Sequence, residues 1–145
     1  MNCIEVRGGK AYQQEYVKSM VEYCIKMLMP RMKSLDINVF LKDIKEDAYG
    51  YCLSETTREF ELEIDKKLTL RKLLTTVAHE MVHVKQYARR ELTGDYTWQN
   101  KTYGPKNCNY WDQPWEIEAH GREAGLFVRW AEENKLAHKK WTQDD

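Results

Sequence analysis

Nowhere in the 145 residues do 18 apolar residues stand together, so the sequence offers no segment able to cross a bilayer as a helix. The 23 basic and 23 acidic residues cancel, and no global field draws the chain to nucleic acid or to an anionic membrane. Cys3, Cys24, Cys52 and Cys108 form no CxxC pair. No signal-peptide pattern opens the sequence, and a chain of this length builds a core without crosslinks. The cysteines are therefore expected as reduced thiols in a cytoplasmic protein. Repeats and low-complexity tracts are absent too, which leaves one domain over residues 1–145.

Against these shortages stands His79-Glu80-Met81-Val82-His83, an HExxH sequence. Residues four apart share a helical face, so two imidazoles one turn apart can reach one ion at roughly 2.0–2.1 Å. Glu80 then sits beside such an ion and can take a proton from a water, as hydrolysis of an amide at neutral pH requires. Residues 69–91 read as one helix, with Thr69 as N-cap and an end before Thr93-Gly94. Leu70, Leu73, Leu74, Val77, Met81, Val84 and Ala88 form its apolar stripe. Lys72, Thr76, His79, His83, Gln86 and Arg90 lie nearly opposite, which puts the histidines on a polar side facing a cleft.

The remaining elements predict an α+β fold. After the apolar start Met1 to Val6 and the break at Gly8-Gly9, residues 11–29 read as a helix carrying Tyr12, Tyr16, Met20, Tyr23 or Cys24, Met27 and Leu28 on one side, with Pro30 near its end. Three strands are expected at 37–44, 49–54 and 58–65, in a three-stranded or larger antiparallel or mixed sheet. The last alternates Phe60, Leu62 and Ile64 with Glu59, Glu61, Glu63 and Asp65, which suggests an edge strand along the cleft to which an extended peptide could add. Tyr96-Thr97-Trp98 and Thr102-Tyr103 flank a short hairpin, followed by a loop to Pro114. A final helix runs from 113 or 114 to 135, and the 143–145 end is expected to fray.

A catalytic zinc site needs a third protein ligand. On the final helix Ala119, Trp130, Phe127, Ala131, Ala124 and Ile117 form an apolar arc, with Glu116 near its middle and His120 and Glu123 beside it. A carboxylate planted in such an arc is costly unless it is paired or binds metal. Glu116 is thus the favoured ligand, with His120 as alternative. Glu118 falls opposite, as a solvated charge at pairing distance from Arg122. Tyr96, Tyr103, Tyr110 and His120 are candidate donors to an oxyanion.

With both motifs in hand, the chain resembles the gluzincin metallopeptidases, in which HExxH is followed by a helix carrying a ligand Glu and, after a small residue, Asp or Asn. Glu116-Ile117-Glu118-Ala119-His120 matches that pattern with His120 in the Asp or Asn place. The resemblance takes in the CAAX prenyl endopeptidase type, the ImmA type and the minigluzincins, and covers roughly residues 37–135. It implies a zincin-like fold, one Zn²⁺ held by His79, His83 and Glu116, Glu80 as general base, and a peptide or protein substrate. Two further families compete. SprT-like proteases would use His120 as third ligand, although their zinc-ribbon cysteines are missing. Peptide deformylases place a ligand cysteine in a Cys-Leu-Ser segment, and Tyr51-Cys52-Leu53-Ser54 has that look. A non-catalytic, zinc-stabilised binding module is the alternative outside enzymes.

Overall fold

A computed structural model describes residues 1–94, 96–104 and 108–143; the expected fraying at 144–145 and the loop stretch 105–107 lie outside them. The chain is α+β. Strand β1 (Cys3–Gly8) is followed by helix α1 (Ala11–Leu28), then β2 (Asp36–Lys42), β3 (Gly50–Ser54), β4 (Glu59–Asp65) and helix α2 (Leu70–Ala88). Two-residue strands β5 (Leu92–Thr93), β6 (Thr97–Trp98) and β7 (Lys101–Thr102) come next. A single 3-10 turn at Tyr110–Asp112 leads into α3 (Pro114–Glu133), and a short α4 (Lys140–Gln143) follows. No helix among the described residues is long and apolar enough to cross a membrane.

The main sheet is four-stranded and mixed, in the order β1-β2-β4-β3, with β1, β2 and β4 parallel and β3 antiparallel to β4. Apolar start and Gly8-Gly9 break resolve into a strand and a left-handed turn, Gly8 at φ 83° and Gly9 at φ 65°. The chain can then return through α1 to pair β2 with β1 in parallel, which a tight hairpin cannot do. Strict alternation places Val6, Val39 and Leu62 in one cross-strand row. Such rows turn toward the helices, where Val17, Met20 and Cys24 of α1 and Leu73, Val77, Met81 and Val84 of α2 complete one apolar core.

Met20, Tyr23, Cys24 and Leu28 of α1 are buried as expected, joined by Val17, Val21 and Ile25, whereas Tyr12 and Met27 at the edges of the expected stripe are exposed. More consequential is the sheet order. β4, the acidic alternating strand, is internal, and β3 forms the edge. The β2–β3–β4 path lays β3 outside β4, so each central strand is paired on both sides. Gly50 at the start of β3 permits this placement beside α2: a Cβ there would meet Glu63 O at 2.8 Å and Thr76 Cγ2 at 3.0 Å. All four cysteines are free thiols.

Candidate metal centre and cleft

Helix α2 begins where expected: Thr69 caps it by accepting the Lys72 amide. It ends at Ala88, earlier than the sequence reading, with Arg90 at φ 59° turning the chain toward β5. Its apolar side lies on the sheet and α1. Its other side forms one wall of a cavity of about 780 Å³, lined by Lys72, Thr76, His79, Glu80, His83 and Tyr87. Gly50, Tyr51 and Cys52 of β3 line it on another side. Trp115, Glu116, His120 and Glu123 of α3, with Tyr110 and Trp111 before them, close it.

Across this seam Glu116 reaches both imidazoles. Its Oε1 lies 3.1 Å from His79 Nε2 and its Oε2 lies 3.2 Å from His83 Nε2. The three donor sets fall within 4.8 Å of one another, a grouping that could hold a metal ion. Tetrahedral zinc with bonds of roughly 2.0–2.1 Å separates its ligand atoms by about 3.3 Å, so the spacing of the carboxylate from each imidazole suits that geometry. Pro114 opens α3 and places Glu116, two residues on, in the helix's first turn.

The far nitrogens of both rings are held. His79 Nδ1 is 3.1 Å from Glu123 Oε1, and His83 Nδ1 is 2.7 Å from Gln86 Oε1. Gln86, fully buried, donates in turn to Trp115 O and to Glu118 Oε1, each at 2.9 Å. Partners of this kind fix ring orientation in metal sites. Glu123 and Gln86 carried no assigned role in the sequence reading. Glu123 was marked only as lying beside the arc, and a search one turn beyond His120 for a second carboxylate would have found it.

Glu118 is not a solvated charge. It pairs with Arg122 at 3.0 Å as expected, but it also accepts from the buried Lys85 Nζ at 2.6 Å. The buried arc of α3 is Trp115, Ala119, Leu126, Phe127, Trp130 and Ala131, while Ile117 is exposed. Counting Ile117 and Ala124 as core turned the predicted arc away from Glu118, which in fact faces Lys85 and Gln86 of α2.

His120 meets His79 edge-on, ring centroids 4.5 Å apart, but its nitrogens bond elsewhere: Nδ1 is 2.8 Å from Glu123 Oε1 and Nε2 is 3.0 Å from the Tyr110 hydroxyl. A second donor group, His79, His120 and Glu123, shares His79 with the first. Its carboxylate, Glu123, is the one that holds His79 Nδ1. Among the described residues neither His120 nor Cys52 forms a donor group with both His79 and His83. Burial and the nearby Glu80 also push the Cys52 thiol well above its usual range. Of the four oxyanion candidates, Tyr110 reaches the site, donating to Glu116 Oε1 at 3.0 Å, with His120 bonded to it. Tyr96 and Tyr103 instead pack against Trp115, at 6.1 and 5.9 Å between ring centroids.

Charge explains why these groups stay together. Burial alone would push His79 down, yet its hydrogen bonds to Glu116 and Glu123 outweigh burial and raise the imidazole from 6.5 to about 10. His83 shifts upward for the same reason, against the same burial. Glu116, despite its burial, is held well below the usual carboxylate range by the two imidazoles. Glu80 differs: burial raises it, partly countered by the imidazoles. It lines the cavity, and its carboxyl makes no hydrogen bond among the described residues.

Comparison of the chain with protein-family models, with curated proteins and with solved structures finds no match. The site therefore speaks through its geometry: an α+β protein in which two helices bring a His2Glu group, able to hold a metal ion, to the wall of a deep cleft.

Proposed function

We propose that this protein is a zinc-dependent peptidase of zincin-like, gluzincin type. One observation carries the reading: a carboxylate from α3 lies within 3.1 and 3.2 Å of the Nε2 atoms of both HExxH imidazoles, beside a free carboxyl from the same motif. A bound zinc ion would supply Lewis acidity toward a water and toward the carbonyl of the bond to be cut. His79, His83 and Glu116 would hold it, giving up the protons that the two imidazoles otherwise share with the carboxylate. Glu123 and Gln86 keep each ring turned with Nε2 toward that point.

Glu80 takes the water's proton and delivers it to the leaving amine. Its raised affinity for protons suits a group that must accept and then release one near neutral pH. The Tyr110 hydroxyl, anchored by His120, can swing from Glu116 to the developing oxyanion. β3, the edge strand, offers its unpaired side to an extended substrate.

Glu116→Ala is the direct test. Zinc content after dialysis should fall to a small fraction of one equivalent, and chelator-sensitive cleavage of an unstructured protein such as casein should disappear with it. Retained zinc with no cleavage in the unmodified protein would favour a structural, non-catalytic centre.

A further inference from the structure

The lining residues of α2, from Lys72 to Tyr87, recur at helical spacing over 15 positions, so the cleft follows the helix axis for about 22 Å. That length accommodates roughly six or seven residues of extended chain at about 3.3 Å each. His79 and His83 lie toward the middle, and the two ends differ. Before His79 the wall carries Lys72 and Thr76, with the Lys72 ammonium 4.8 Å over the exposed Tyr49 ring. Beyond His83 it turns apolar, with Tyr87, Leu92 and Trp115 and with Cys52 in the same cleft.

The apolar end is built to keep its shape. The Trp115 backbone carbonyl accepts from Gln86 Nε2, while Gln86 Oε1 meets His83 Nδ1, so the main chain that carries the indole is tied to the same residue that fixes the imidazole. Tyr96 and Tyr103 pack against Trp115, and Leu92 is locked by pairing with Trp98 between β5 and β6. Both Leu92 and Trp115 are only 5% exposed, yet both face the cavity. Rigid apolar walls beside a reacting centre select by side-chain size and polarity, because a charged group entering them loses its water without a partner.

We propose that the recess formed by Tyr87, Leu92 and Trp115 is a specificity subsite that takes a bulky apolar side chain of a polypeptide lying in the cleft, next to His83. The inference rests on the peptidase reading only for the statement that this peptide is cut; binding is tested separately.

The probes are acetylated heptapeptide amides of Ala and Ser carrying a single Phe, Leu, Lys or Glu at each position in turn. Calorimetry on zinc-loaded Glu80→Gln protein measures binding, and mass spectrometry of digests by the unmodified enzyme measures cutting. At one position Phe or Leu should bind at least about tenfold tighter than Lys, Glu or Ala. Leu92→Ala should shift the preference toward Phe, and Leu92→Phe should remove the advantage of Phe over Ala; thermal melts show which variant is folded, and either suffices. Equal affinity for all side chains, a preference unmoved by the folded Leu92 variant, or no binding would overturn the subsite. Selective binding without cutting would leave the subsite standing and sink the peptidase reading, whereas cutting without selectivity would do the reverse.

Discussion

The two long sides of α2 meet opposite surroundings. Toward the sheet and α1, Leu73, Leu74, Val77, Met81 and Val84 are fully buried among other apolar side chains. Toward α3, burial is nearly as complete, but the buried groups are His79, His83, Lys85 and Gln86. The first side is held by removal of apolar area from water and tolerates exchange of one hydrocarbon for another. The second is held by a chain of partners in which each charge depends on the next, so loss of one strands another without water. A single helix thus carries a stabilising side and a chemical side. Deletions on the two should have separable consequences.

The sharpest separation is expected from Glu80→Gln. Peptide hydrolysis should fall by about 10²–10⁴-fold, with zinc content and melting temperature near those of the unmodified protein; a matching loss of zinc would place Glu80 among the ligands. On the other side, Leu74→Ala should cost about 2–5 kcal/mol in urea unfolding and leave zinc affinity of the folded protein unchanged. A coupled loss of affinity would mean that the core and the seam do not act independently. Smaller effects sharpen the division within the seam. Glu123→Gln should weaken zinc binding by about 10–100-fold, read by competition with a chromophoric chelator, with a modest change in stability.

A further effect is one of pH, in protein held metal-free by chelator. His79, raised from 6.5 to about 10, contributes stability that is complete below 6.5 and is lost as pH climbs toward 10. Glu116, lowered from 4.5, contributes stability that is present above 4.5 and is lost as pH falls below it. Melting temperatures in chelator should therefore be highest between 4.5 and 6.5 and decline on both sides, and Glu116→Gln should flatten the profile. An unchanged profile would show that the imidazole–carboxylate contacts do not persist without metal.

The HExxH pair, the cap at Thr69, the strand alternation and the Pro114 start of α3 were legible because each depends on neighbours within a turn or a few residues. Glu116 was legible through cost: a carboxylate near an apolar arc asks for a partner. Glu118 misled for a complementary reason. Its Arg122 partner is local and visible, whereas Lys85 and Gln86 come from another helix. The edge strand was misassigned because charge alternation reports which face meets water and carries no information about which neighbours pair.

Local pattern was enough to define the main helices and strands and to single out His79, His83 and Glu116, since helical and pleated periodicity act over short stretches of chain. Pairing order and helix approach are long-range. Placing β3 outside β4 and packing α3 against α2 were settled by how apolar faces close on one another, and that closure made a cleft, a Glu123 and Gln86 brace, and an apolar recess from residues distant in sequence.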